Sequence, residues 1–128
     1  MKLLLDTHTV LCFYSADPQL SAAASAAIID PANEKWVSPA SYWEIAIKIS
    51  TRKYAFAQPY EDFWRNAIDA NGFQILHILP RHTALLTTMP YHHRDPFDRL
   101  IIAQALTEGM SVVSADSIID AYSVARIW

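Results

Sequence analysis

The chain has 128 residues, 52% of them hydrophobic, and a formal net charge of −3 from 10 Lys and Arg against 13 Asp and Glu. That length and apolar content suit one domain spanning 1–128, and two glycines with no low-complexity stretch leave no flexible linker or 20–50-residue repeat to expect. No apolar run approaches the ~18 residues of a membrane span, Lys2 with three leucines and Asp6 makes no secretory leader, and the single Cys12 allows no intramolecular disulfide, so a cytoplasmic protein without a membrane partner is expected.

Leu3 to Leu5 form a short buried run ending in Asp6-Thr7, and Val10, Leu11, Phe13 and Tyr14 then predict a helix up to the Asp17-Pro18 break. Strand, polar turn and helix in that order open an α/β chain. Ser21 caps a second helix through Ala22 to Ile29, stopped by Asp30-Pro31, and Lys35-Trp36-Val37 is a short strand. Ser38 suits the N-cap, and Pro39 the first helical position, of a third helix. Pro59 to Ala70 predicts a fourth, ended by Asn71-Gly72, and Phe73 to Leu76 is a strand candidate. Arg81 to Thr88 predicts a short helix, Asp95-Pro96 opens one that runs to Glu108-Gly109, Met110 to Val113 is a strand, and Arg126-Ile127-Trp128 forms a terminal edge. Short apolar strands alternating with helices imply a mostly parallel sheet covered on both faces.

In such sheets ligands bind beyond the carboxyl ends of the strands. Asp6 and Asp116 both sit there, so two carboxylates from different strands face one rim. Two further acids are awkward for folding. Asp98 heads the apolar positions Ile101, Ile102 and Ala105, and Glu44 shares a helical stripe with Ser41 and Lys48. Each has an ordinary structural explanation. Asp6 and Asp116 suit N-caps, Asp98 suits a first helical turn, and Glu44 with Lys48 could be a surface pair of roughly 0.2–0.5 kcal/mol. Together, the four read as one cation site, because a carboxylate losing hydration needs hydrogen bonds, counter-charge or metal in its place. Oxygen-only ligation favours a hard cation, Mg²⁺ or Mn²⁺. With these four set apart, nine acids face ten bases and the balance becomes +1. Asp95 is the natural cap of its helix, with Pro96 in the first position. His92-His93, with His8, His77 and His82, makes no zinc pattern, since adjacent histidines point in different directions and no His-x-x-x-His or Cys-x-x-Cys pair is present.

These residues resemble PIN-domain proteins, and among them the VapC-like toxins of bacterial toxin–antitoxin systems. The matching segments are Leu3-Leu4-Leu5-Asp6-Thr7-His8, Ser38 through Lys48 with its Trp43-Glu44-Ile45, His93-Arg94-Asp95-Pro96-Phe97-Asp98-Arg99-Leu100, and Ser114-Ala115-Asp116. Their order and spacing cover essentially the whole chain. The resemblance implies a three-layer α/β/α fold and an acidic tetrad of Asp6, Glu44, Asp98 and Asp116 that binds metal and carries catalysis. Thr7 and Ser114 become hydroxyl neighbours, Asp95 an auxiliary acid or cap, and Lys48 and Arg99 candidate phosphate contacts. Two departures are visible: Ser114 stands where threonine is frequent, and Arg52-Lys53 where a Gly-Lys turn is.

The implied activity is a Mg²⁺- or Mn²⁺-dependent endoribonuclease. A cation held by carboxylates offsets the charge of a phosphodiester and lowers the pKa of its bound water. The implied partners are an RNA substrate, a cognate antitoxin that blocks the site, and a second copy in a homodimer or a larger complex with antitoxin. A catalytically silent PIN-like module binding RNA or protein is the principal rival. An aspartyl phosphatase would need Asp-x-Asp where this chain has Asp6-Thr7-His8, and a receiver domain would need paired acids near the start.

Overall fold

In the computed structural model, which describes residues 1–128, five parallel strands form one sheet in the order β3-β2-β1-β4-β5. The strands are β1 (Lys2–Leu5), β2 (Glu34–Val37), β3 (Gln74–Ile75), β4 (Ser111–Val113) and β5 (Arg126–Ile127). The helices are α1 (Thr7–Tyr14), α2 (Ala22–Ile29), α3 (Pro39–Ser50), α4 (Tyr60–Asp69), α5 (Pro80–Leu86) and α6 (Pro96–Glu108), with a 3₁₀ turn at Ser117–Ala121. The elements expected from the sequence are all present, within a few residues of their expected bounds.

Alternation along β1 builds the layers. Leu3 and Leu5 point to one face with Val10, Ile28, Val37, Ile45 and the buried side of α4. Leu4 points to the other, with Ile101 and Ile102 of α6, Val112, Ile119 and Tyr122. All three leucines have zero exposure, and each contributes about 1.5–3 kcal/mol by leaving water. A run apolar on both faces is what a strand sandwiched between helices requires.

Caps set the helix ends that matter for the site. Ser38 accepts a hydrogen bond from Ala40 N at 3.1 Å and Pro39 occupies the first turn, so Glu44 falls in the second turn of α3. Asp95 accepts from Phe97 N and Asp98 N at 2.9 and 3.1 Å, putting Asp98 in the first turn of α6. That helix stops at Gly109, whose φ of 66° is open to glycine at no steric cost.

Past α3 the chain turns through Arg52 at φ 60°, with Lys53 N donating back to Lys48 O at 2.8 Å. A left-handed backbone of this kind is one that glycine adopts freely. Arg52 adopts it at a cost of about 1–2 kcal/mol.

In the strand order, β2 lies on one side of β1 and β4 on the other, so the connections leaving β1 diverge beyond its carboxyl end. There the rim opens into a crevice. Leu5 pairs with Val113, and Asp6 N donates to Val113 O at 3.2 Å, so Asp6 and the turn after β4 meet at its floor.

Candidate metal centre

A cavity of about 410 Å³ lies over this rim, and Asp6, Glu44, Asp95, Asp98 and Asp116 all line it, with Lys48, Thr7 and His8. Five carboxylates therefore face one ammonium group. They come from the ends of β1 and β4, from α3, and from the start of α6. Asp6 is nearly buried and also caps α1, its Oδ1 accepting from Thr9 N at 2.8 Å. Capping and cavity lining thus fall to the same side chain. Thr7 Oγ1 lies 2.9 Å from Ser41 Oγ, which joins α1 to α3 one turn before Glu44. Ser114 is fully buried beneath the cavity, where its hydroxyl hydrogen-bonds the Asp6 carboxylate and accepts from Asp116 N at 3.0 Å.

The electrostatics are those of a site lacking positive charge. Burial pushes the Asp6 carboxyl above its ordinary value, against the lowering effect of the Ser114 and Thr9 hydrogen bonds. Asp98 rises from 3.8 to about 7, first through burial and then through the charges of Asp95, Asp6 and Glu44, with His93 pulling the other way. Glu44 Oε2 is 3.1 Å from Lys48 Nζ, but its Oε1 is buried with no hydrogen-bond partner. An orphaned carboxylate oxygen in a crowded acidic cavity is costly unless a cation sits beside it. The donor set is hard oxygen and fits a divalent cation such as Mg²⁺.

A model of the PIN domain matches residues 3–125. This chain belongs to the PIN-domain family. It is 32% identical over 114 residues to ribonuclease VapC22 of Mycobacterium tuberculosis, a match covering 88% of this chain and 85% of that protein. Among solved structures, the fold resembles FitAcB from Neisseria gonorrhoeae (TM-score 0.67, 18% identity, covering 97% of this chain and 95% of that one). It also resembles VapBC2 from Rickettsia felis bound to a promoter DNA fragment (TM-score 0.65, 14% identity, covering 98% and 97%). VapBC-1 from nontypeable Haemophilus influenzae shares the fold at a TM-score of 0.62 and 15% identity, covering 98% and 96%. The three-layer α/β arrangement is thus a PIN fold.

Seven of the nine residues singled out in the sequence line the cavity of this PIN domain, and Ser114 supports it from beneath. Arg99 does not reach it. Its guanidinium is buried and donates to Met89 O at 3.1 Å and Pro90 O at 2.9 Å, while stacking 3.7 Å from the Tyr91 ring. The next helical position turns about 100° away from Asp98, so Arg99 holds the loop before α6 instead of facing a phosphate.

His93 is the residue sequence reasoning passed over. The two adjacent histidines do point apart: His92 packs against the Tyr122 ring at 5.1 Å, whereas His93 Nε2 lies 2.5 Å from Asp116 Oδ2 and 3.2 Å from Asp98 Oδ2. The available signal was its place two residues before the cap of α6. Only the packing of Tyr122 reveals which of the pair turns inward. No helix of this PIN domain is long and apolar enough to cross a membrane.

Proposed function

We propose that this PIN domain, one unit over residues 1–128, is a Mg²⁺- or Mn²⁺-dependent endoribonuclease and the toxin of a cytoplasmic toxin–antitoxin pair. The observation that carries the metal reading is the buried, unpartnered Oε1 of Glu44 in a cavity with four other carboxylates. Asp6, Glu44, Asp98 and Asp116 would hold the cation. When bound, it would offset the phosphodiester charge and acidify a water for in-line attack on phosphorus, leaving a 5′-phosphate and a 3′-hydroxyl.

The chain's own groups do the rest. Lys48, about half exposed at the cavity mouth, binds a phosphate oxygen as a point charge. Thr7 and Ser114 fix α1 and the β4 turn, and Asp95 keeps Asp98 in the first turn of α6. The activity is suggested by the name of the VapC22 relative, and an antitoxin partner by the VapBC and FitAB complexes that share the fold. An antitoxin arginine placed among these carboxylates would supply the missing positive charge and block substrate. The exposed Trp43 and Tyr91 suit a homodimer interface, which could extend to a larger complex with antitoxin.

The test is incubation of the antitoxin-free protein with an end-labelled pool of cellular RNAs, in Mg²⁺, Mn²⁺ or chelator, beside Asp6→Asn and Asp98→Asn. Cuts that need metal and disappear in both variants are expected. Equal cleavage by wild type and variants would refute the site, and no cleavage would favour a silent binding module.

A further inference from the structure

His93 shares the cavity floor with two of the acids, and its three nearest hydrogen-bonding groups determine what it can do there. Its ring Nδ1 accepts from Asp95 N at 3.1 Å, the backbone amide of the residue that caps α6. A nitrogen that accepts carries no proton, so the ring proton belongs to Nε2. That nitrogen faces Asp116 Oδ2 at 2.5 Å, and Asp98 Oδ2 lies 3.2 Å from it. The backbone is held as well, because His93 N donates to Tyr122 Oη at 2.9 Å and Tyr122 in turn donates to Pro90 O at 2.7 Å. Arg99 ties Met89 and Pro90 to α6 from below.

His93, Asp98 and Asp116 bring ligand-type atoms within 4.8 Å of one another, which by distance alone resembles a three-ligand metal site. The hydrogen bonds argue otherwise. Were Nε2 a metal ligand, the neutral ring would carry its proton on Nδ1, directly opposite the Asp95 N–H, and two donors would face each other. Asp116 follows a three-residue strand, and within its own 3₁₀ turn its carboxylate accepts only through Oδ1, from Ile118 N, which leaves Oδ2 to be held from another segment.

From this geometry we infer that His93 is a positioning residue, which donates from Nε2 to Asp116 and orients that carboxylate toward the cation without ligating it. The inference rests on the metal site proposed above. Outer groups of this kind typically contribute about 10–100-fold in metal affinity.

The experiment reads the ring directly. Imidazole ¹⁵N NMR of the full chain, metal-free and with Mg²⁺, is expected to show a proton on Nε2 and none on Nδ1 of His93 in both states. A ring protonated at Nδ1, alone or with Nε2, would break the Asp95 contact and overturn the assignment. Pulsed EPR of the Mn²⁺-loaded protein is expected to show no directly bonded nitrogen, and a bonded one would overturn it equally. By calorimetry, His93→Ala should weaken Mg²⁺ binding about 10–100-fold while His93→Gln, which keeps an N–H donor, recovers most of it. Unchanged affinity in folded His93→Ala refutes the positioning role. Wild-type protein that binds no Mg²⁺ would sink the proposed metal site, while the metal-free ring proton would still be readable.

Discussion

Replacing Asp98 with asparagine should make the metal-free protein more stable, and increasingly so as pH rises. In the unfolded chain the Asp98 carboxyl titrates at 3.8, whereas in the folded cavity it titrates near 7. Below the lower value it is protonated in both states and costs nothing. Between the two values only the folded state retains the proton, so wild-type stability falls with rising pH and levels off above about 7. The interval is about three pH units at about 1.36 kcal/mol each, or about 4 kcal/mol at most. The side chain is 23% exposed, and partial solvation reduces this to about 2–4 kcal/mol at pH 8, with about a third as much near pH 5. Asparagine is close to aspartate in volume and carries no charge, so the variant should escape that part of the fall. Urea denaturation of both proteins in chelator, at pH 5 and pH 8, measures it. Adding Mg²⁺ at about 100 times its Kd should then stabilise wild type by about 2.7 kcal/mol and the variant far less. Parallel stability–pH curves for the two proteins would falsify the claim that Asp98 is strained by burial and its neighbouring acids.

Arg99→Met should lower stability by about 2–3 kcal/mol, since Met89 O loses its buried donor and Pro90 O keeps only that of Tyr122; a melting temperature unchanged from wild type would contradict the interior role. Lys48→Ala should lose about 1–3 kcal/mol, more than an exposed pair, because it leaves the buried Glu44 carboxylate without its counter-charge, and it should reduce kcat/KM on RNA about tenfold through the lost phosphate contact. An equal kcat/KM would remove that role. Arg52→Gly should raise stability by about 1 kcal/mol by relieving the left-handed backbone, and thermal denaturation reporting a loss instead would show that Arg52 makes compensating contacts. For Leu4→Ala, whose side chain is fully buried between β1 and α6, a cost of about 2–5 kcal/mol is expected in urea denaturation; a cost under 1 kcal/mol would mean that this layer is loosely packed.

Much of the fold was legible in the sequence because its signals are local. The Leu3–Leu5 run, Ser38-Pro39 and Asp95-Pro96 specify strand and helix starts through burial and capping within a few residues. Asp6 and Asp116 follow strands that must be parallel, so their meeting at one rim could be inferred from chain order. The two-sided role of Asp6, a cap that also lines the cavity, was visible only as a choice between alternatives. Helical period placed Asp98 on an apolar face and Glu44 on a polar one, but gave no sign that one Glu44 oxygen would pair with Lys48 while the other stayed buried alone. The same period turns Arg99 about 100° away from Asp98, but it did not show that Met89 O and Pro90 O would receive the guanidinium. The sequence by itself determined the layer order, the helix caps and which acids share the rim, since these follow from period, proline and strand direction. Tertiary structure alone decided that His93 rather than His92 turns toward Asp116, that Arg99 serves backbone carbonyls, and that Asp98 titrates near neutrality. Those outcomes depend on groups such as Tyr122 and Asp6, brought from 23 residues away or more by packing that no local pattern records.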